Sequence, residues 1–279
     1  MISNSVRITV LVDNKPGNGL TSEHGLALWI EVEGFHILFD TGQGHALIPN
    51  ARRLKVPLEK TDFLVLSHGH YDHTGGVGEV LQRAPKARLI LHKNIMADRY
   101  SVLAEKSPHA IGMPQPMQNS INQLSGERIM WTEQPLYLTN RICVTGAIPR
   151  DTSFEDAGGS FFLDLIGKSK DPVADDQALW IKRRKGIVIC VGCSHAGLIN
   201  TINYAMQMAG ESVLRAVIGG FHLINSGTTR LQNTVEALTS LGPGMLIPCH
   251  CSGDDAVRFL QSSLGDRVSP CCSGMVFEF

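Results

Sequence analysis

The chain has 279 residues, a formal net charge of −1, 43% hydrophobic and 18% charged residues. That composition belongs to a folded globular chain with enough residues for a sizeable core, and it excludes a disordered one. Near-neutral charge gives no overall electrostatic signature for nucleic acid or a membrane surface.

No run reaches the ~18–20 apolar residues that a spanning helix needs. The N-terminal Met1-Ile2-Ser3-Asn4-Ser5-Val6-Arg7 carries no basic flank, apolar stretch or cleavage pattern, so the expected location is the cytoplasm. The 7 cysteines are an odd number without a regular spaced framework, which agrees with a reducing compartment.

Apolar runs bounded by turn residues predict strands at 6–12, 26–32, 36–39, 63–66 and 88–91. The segment Lys93–Gln134 is rich in Met, Pro, Gln and Ser and has no clean period. It reads as a helical or irregular excursion, a lid beside a site. Further strands are expected at 178–181, 186–191, 216–218 and 245–247, with helices at 198–208 and 229–241 and a polar loop at 167–176. The alternation of strand and helix predicts a layered α/β fold.

One internal echo organises these elements. Ala27-Leu28-Trp29-Ile30 recurs as Ala178-Leu179-Trp180-Ile181, each followed by a turn and a second strand. Those second strands end at Asp40-Thr41-Gly42 and at Gly192-Cys193-Ser194-His195. The next strands end at Ser67-His68-Gly69-His70 and at Gly219-Gly220-Phe221-His222. The matched order predicts two related halves of ββαβ type, about 1–92 and 141–279, within one domain spanning 1–279, with 93–140 as the excursion. Packed sheet to sheet, such halves give a four-layer αββα sandwich whose strand-end loops meet in a cleft.

The strongest chemical signal is His68-Gly69-His70-Tyr71-Asp72-His73-Thr74-Gly75-Gly76. Imidazole and carboxylate are good ligands for zinc, manganese or iron. A loop can turn all four groups inward, whereas a regular strand sends alternate side chains to opposite faces. Four ligands would nearly fill one tetrahedral site. Sharing with the second half favours two open sites, so one or two divalent ions are expected, zinc foremost. His195, His222 and His250 also follow apolar strands. His195 and His250 are read as ligands, and His222 as a ligand or a catalytic acid/base beside a structural role. Cys193 is the alternative ligand to His195. Asp40 is placed to orient a ligating imidazole by accepting its other N–H, with a turn-capping role as the alternative. Arg150 and His24 are candidates for substrate contact.

The hallmark His-x-His-x-Asp-His after a strand, with an aspartate at an earlier strand end, resembles the metallo-β-lactamase superfamily. The resemblance implies the αββα sandwich, with His68 and His70 on a first metal and Asp72 and His73 on a second. His250 stands where that superfamily's last histidine ligand falls. The usual third-motif histidine and bridging aspartate have no obvious counterpart, and Cys193-Ser194-His195 stands in that region. The blocks Ser22-Glu23-His24-Gly25-Leu26, Gly192–Gly197, Ile218–Leu223 and Pro248–Gly253 are similar to the metal-dependent hydrolases of β-lactamase superfamily II. That group includes archaeal proteins named for synthesis of a dihydropterin–ribofuranosylaminobenzene phosphate.

The expected activity is that of a metal-dependent hydrolase or related transferase. A metal-bound hydroxide, oriented by Asp72, attacks a polarised carbonyl or phosphoryl group, and His222 or His195 supplies a proton. The expected partner is a small molecule, phosphorylated or pterin-like, and no nucleic acid or membrane. A non-hydrolytic metal- or ligand-binding protein of the same fold is the alternative from another class. A nuclease is a third, against which the charge and the lack of long basic runs argue. No sequence feature sets an oligomeric state.

Overall fold

The computed structural model describes residues 5–104 and 106–279; Met1 to Asn4, part of the stretch read for targeting features, lie outside the described residues. Among the described residues the strands run in chain order as β1 (Val6–Val12), β2 (Ala27–Val32), β3 (Phe35–Phe39), β4 (Phe63–Val65), β5 (Arg88–His92), β6 (Tyr100–Ser101), β7 (His109–Ala110), β8 (Ile129–Thr132), β9 (Leu136–Thr139), β10 (Ile142–Val144), β11 (Phe161–Phe162), β12 (Ala178–Arg183), β13 (Gly186–Val191), β14 (Leu214–Gly220), β15 (Met245–Cys249) and β16 (Val276–Glu278). The α-helices are α1 (Leu47–Arg53), α2 (Tyr71–Thr74), α3 (Val77–Arg83), α4 (Gln115–Asn122), α5 (Leu198–Ala209), α6 (Thr228–Leu241) and α7 (Asp254–Leu264). Among the described residues, no helix is long and apolar enough to cross a membrane.

The chain divides into two compact units. The first takes the residues up to Thr132 together with Ser160–Asp171 and Cys272–Phe279. The last two stretches belong by sequence to the second half, yet β11 pairs with β6 of the excursion and β16 with β1 of the first half. The main sheet of this unit has the order β16-β1-β2-β3-β4-β5-β8. β2 and β3 form an antiparallel hairpin across Glu33-Gly34, with φ of 53° and 86°. β3, β4, β5 and β8 then run parallel. Leu11, Trp29, Leu38, Leu64, Leu66, Val80 and Leu91 form its core, each full burial contributing roughly 1.5–3 kcal/mol.

The second unit, Glu133–Gly159 and Pro172–Cys271, holds the sheet β15-β14-β13-β12-β10-β9. β12 and β13 are antiparallel, and β13, β14 and β15 run parallel. The echoed Ala-Leu-Trp-Ile segments thus occupy corresponding strands, β2 and β12. Each precedes an antiparallel partner that is itself parallel to the next strand. The apolar stripe Leu198, Ile199, Ile202 and Ala205 seats α5 on this unit's core. Gly210 and Gly242, at φ of 55° and 59°, end α5 and α6 in the left-handed cap that glycine adopts without steric cost.

The excursion 93–134 corrects in part the expectation of a helical or irregular segment. It contains α4, but also β8, which pairs in register with β5. β8 is the edge strand of this sheet, half-exposed with Trp131 outward, and its apolar run Ile129–Trp131 is short.

Candidate functional site

In the first unit the chemistry gathers at the ends of β3 and β4. Asp40 follows β3 at φ 60° and is fully buried. Asparagine and aspartate enter this left-handed region more readily than most residues. Its carboxylate accepts three hydrogen bonds, from Ser67 N–H (2.7 Å) and Ser67 O–H (2.7 Å) after β4 and from His73 Nδ1 (2.7 Å). Ser67 Oγ also lies 2.9 Å from His68 Nδ1.

These contacts fix two imidazole tautomers. An ionised carboxylate only accepts, so His73 carries its proton on Nδ1. The Ser67 proton points to Asp40, so Ser67 Oγ accepts from His68 Nδ1–H. Both rings therefore keep a lone pair on Nε2. His68 Nε2 is 3.0 Å from His70 Nδ1, and the His68 and His73 rings are 4.3 Å apart between centroids.

Asp72 sits in α2, the one-turn helix that His70 opens. Its Oδ2 lies 3.2 Å from His24 Nε2 and 3.8 Å from His73 Nε2. His24 is half-exposed and its Nδ1 is 3.3 Å from Asn14 Nδ2. The structure thus brings His24, Asp40, His68, His70, Asp72 and His73 together.

Two further groups shape this region. The buried Glu23 carboxylate accepts the N–H groups of Gln43, Gly44, His45 and Ala46 at 3.0–3.2 Å, which holds the turn after Asp40. Gly69 lies against Arg99 and the Ile95 carbonyl, where a Cβ would collide. Arg99 is buried and pairs through Nε with Asp171 Oδ2 at 2.8 Å.

The second unit gathers the ends of β13, β14 and β15. Ser194, His222 and His250 follow these strands at φ of 54°, 47° and 47°. Non-glycine residues held there cost of order 1–3 kcal/mol each and concentrate at functional loops. Ser194 Oγ donates to Gly220 O at 2.9 Å. Ser252 Oγ accepts Phe221 N–H at 3.0 Å and donates to Cys249 O at 2.7 Å. The three loops are therefore tied to one another.

His195 donates from Nδ1 to Ala157 O at 2.8 Å, which leaves the lone pair on Nε2. His222 donates from Nε2 to Gly158 O at 3.2 Å. The two rings are 4.4 Å apart. Cys193 Sγ lies 3.2 Å from Cys251 Sγ. Donor atoms of Cys193, His195 and His222 lie within 4.8 Å of one another, as do those of Cys193, His250 and Cys251.

Burial pushes up the Cys251 thiol, but the Cys193 hydrogen bond and the His222 and His250 imidazoles outweigh it, so the group titrates well below an ordinary thiol. For His222, burial acts downward, and the Cys251 charge and hydrogen bond overcome it to give a net rise. Burial pushes Cys143 up to about 12 and Cys190 up also, so those thiols are inert core residues.

Two carboxyls steady this second group. Asp176 accepts Ala196 N–H at 2.7 Å, and burial raises it to about 7. Glu155 accepts Ile199 and Asn200 N–H at 2.8 and 2.9 Å, capping α5, and burial raises it too. Arg150, read as a substrate contact, gives its guanidinium to the carbonyls of His195 (2.8 Å), Pro172 (2.6 Å) and Val173 (3.1 Å). It braces the His195 loop. Sequence reasoning missed Ser67, Glu155, Asp176 and above all Cys251. The Cys-His-Cys triplet at 249–251 was the one local signal for Cys251.

A family model described as the metallo-β-lactamase superfamily matches residues 20–140. The protein MJ0448 of Methanocaldococcus jannaschii, described as uncharacterized, is 32% identical, with 91% of this chain and 93% of that one covered. The chain belongs to the metallo-β-lactamase superfamily, and its fold is the one the motif implies. A second relative from the same organism is named 7,8-dihydropterin-6-methyl-4-(β-D-ribofuranosyl)-aminobenzene-5'-phosphate synthase; it is 28% identical, with 99% and 97% covered. The crystal structure of Tm1679, described as a metal-dependent hydrolase of the β-lactamase superfamily, superposes with a TM-score of 0.82 at 28% identity, covering 98% of this chain and 99% of that one.

Proposed function

We propose that this protein is a metal-dependent enzyme, a hydrolase or related transferase acting on a small phosphorylated or pterin-like molecule. The observation that carries the reading is the Asp40–Ser67 pair. It fixes His68 and His73 with Nδ1 protonated, so each presents an Nε2 lone pair. The name of the synthase relative supports the substrate class and keeps group transfer beside hydrolysis.

The donor set fits a divalent ion. Two ligands of a tetrahedral zinc with Zn–N of ~2.0–2.1 Å stand ~3.3 Å apart, and His68 Nε2 and His70 Nδ1 already stand 3.0 Å apart. We assign His68, His70, Asp72 and His73 as ligands in the first unit, and His195 and His250 in the second, with Cys193 as the alternative to His195. One or two ions are expected, zinc foremost and manganese or iron also compatible with nitrogen and carboxylate donors.

A bound divalent ion supplies a water that ionises near neutral pH and polarises the reacting group. The chain's residues do the rest. Asp40 keeps both imidazoles in the ligating tautomer. Asp72 combines its ligand role with a contact to His24, the half-exposed candidate for substrate contact. His222, hydrogen-bonded to Gly158 O, holds a proton for a leaving group. Among the described residues the cysteines form no disulfide, which accords with a reducing, cytoplasmic setting.

The test is metal analysis with turnover of phosphate esters and reduced pterin phosphates. Metal-loaded protein is expected to turn over such substrates, and His68→Ala and Asp72→Ala to lose at least ~10²-fold while remaining folded. Undiminished turnover after complete metal removal overturns the reading.

A further inference from the structure

We propose that Cys251, with Cys193 and His250, forms a thiolate-rich cation site in the second unit that takes a soft divalent ion, zinc first. The inference deepens the metal reading above and rests on it for His250 and Cys193. Cys251 is the new ligand.

Two loops of one sheet deliver these donors. Cys193 follows β13, and His250 and Cys251 follow β15, in the short turn His250–Ser252. All three side chains are buried. The approach of Cys251 depends on β14, because a Cβ on Gly220 would run into Cys251 Sγ. Ser252, tied to Phe221 N–H and Cys249 O, and Ser194, tied to Gly220 O, hold the loops that carry the donors. The donors are therefore set in place by folding and need no rearrangement of the backbone.

Distances favour a metal over a disulfide. Thiolates on a tetrahedral zinc with Zn–S of ~2.3 Å stand ~3.8 Å apart, so the sulfurs, now at 3.2 Å, would separate by ~0.6 Å. A disulfide with S–S of ~2.05 Å would require them to close by more than ~1 Å. Charge agrees. Two thiolates cancel the charge of a divalent ion, and His250 adds a neutral donor, so the buried set is neutral as a whole. Thiolate ligands prefer zinc over magnesium, calcium or manganese. Three protein donors leave a fourth tetrahedral position for water or substrate, as in catalytic zinc sites.

The test uses X-ray absorption on the zinc-loaded, reduced wild-type chain. Sulfur in the first shell at ~2.3 Å, about one sulfur per zinc with two ions bound, is expected. A shell of nitrogen and oxygen alone overturns the proposal. Cobalt(II) gives the second measurement. The loaded wild type is expected to show the near-ultraviolet thiolate-to-cobalt band, Cys251→Ser to lose about half of it, and His68→Ala to retain it. An undiminished band in Cys251→Ser overturns the role of Cys251. Cobalt bound without any thiolate band defeats this proposal and leaves the broader metal reading standing; no cobalt bound at all defeats both.

Discussion

Replacing Asp40 by asparagine tests whether one buried carboxylate sets the tautomers of two proposed ligands, His68 and His73. Asparagine has nearly the same shape and tolerates the left-handed backbone at φ 60°. The carboxylate receives Ser67 N–H on Oδ1, and Ser67 O–H and His73 Nδ1–H on Oδ2. An amide has one acceptor oxygen. Turned to serve Ser67 O–H and His73, it points its NH2 at Ser67 N–H; turned the other way, it opposes two donors. The better arrangement leaves one buried donor unmet, at about 1–3 kcal/mol. The bonds that survive also lose their charge assistance. Residues that orient ligands in this way typically contribute 10–100-fold to metal affinity, or roughly 1.4–2.7 kcal/mol. Competition with a chromophoric chelator would measure the affinity, and thermal unfolding of metal-free protein the stability. Both are expected to fall. A variant less stable but within about twofold of wild-type metal affinity would show that Asp40 only supports the fold.

Gly158→Ala places a Cβ against the His222 ring at φ 80°. The expected result is about 1–3 kcal/mol of destabilisation with a changed His222 signal in a histidine-labelled NMR spectrum; wild-type melting and an unchanged signal would refute the contact. Asp176 titrates at about 7 when folded, against 3.8 for the ordinary carboxyl, through burial. The folded state therefore binds the proton more tightly. Its stabilising contribution is complete below pH 3.8 and is lost as pH rises through about 7, by of order 4 kcal/mol. Asp176→Asn, which can still accept Ala196 N–H, should remove that fall in metal-free protein; an unaltered slope of stability against pH between 4 and 7 would exclude the assignment.

Much of the fold was legible along the chain. The strands expected at 6–12 and 186–191 appear with those bounds, and the helices at 198–208 and 229–241 shift by a residue. Buried parallel strands are continuous apolar runs, and amphipathic helices carry a 3.6-residue stripe, so both signals are local. β8, β11 and β16 were not legible. Each is short, and its assignment depends on a partner distant in sequence, such as Arg7 opposite Glu278.

The candidate site divides along the same line. His68, His70, Asp72 and His73 lie within six residues, so one turn brings them together, and their chemistry can be read from composition and spacing. The sequence alone also placed Asp40, His195, His222 and His250 at strand ends. Only the tertiary structure decided which ring nitrogens are committed, that Arg150 braces a loop, that His24 reaches Asp72, and that Cys251 meets Cys193. Those facts depend on side chains distant in sequence converging within about 3 Å. A strand's sequence specifies which face is buried, but register and loop closure select the atom that stands opposite.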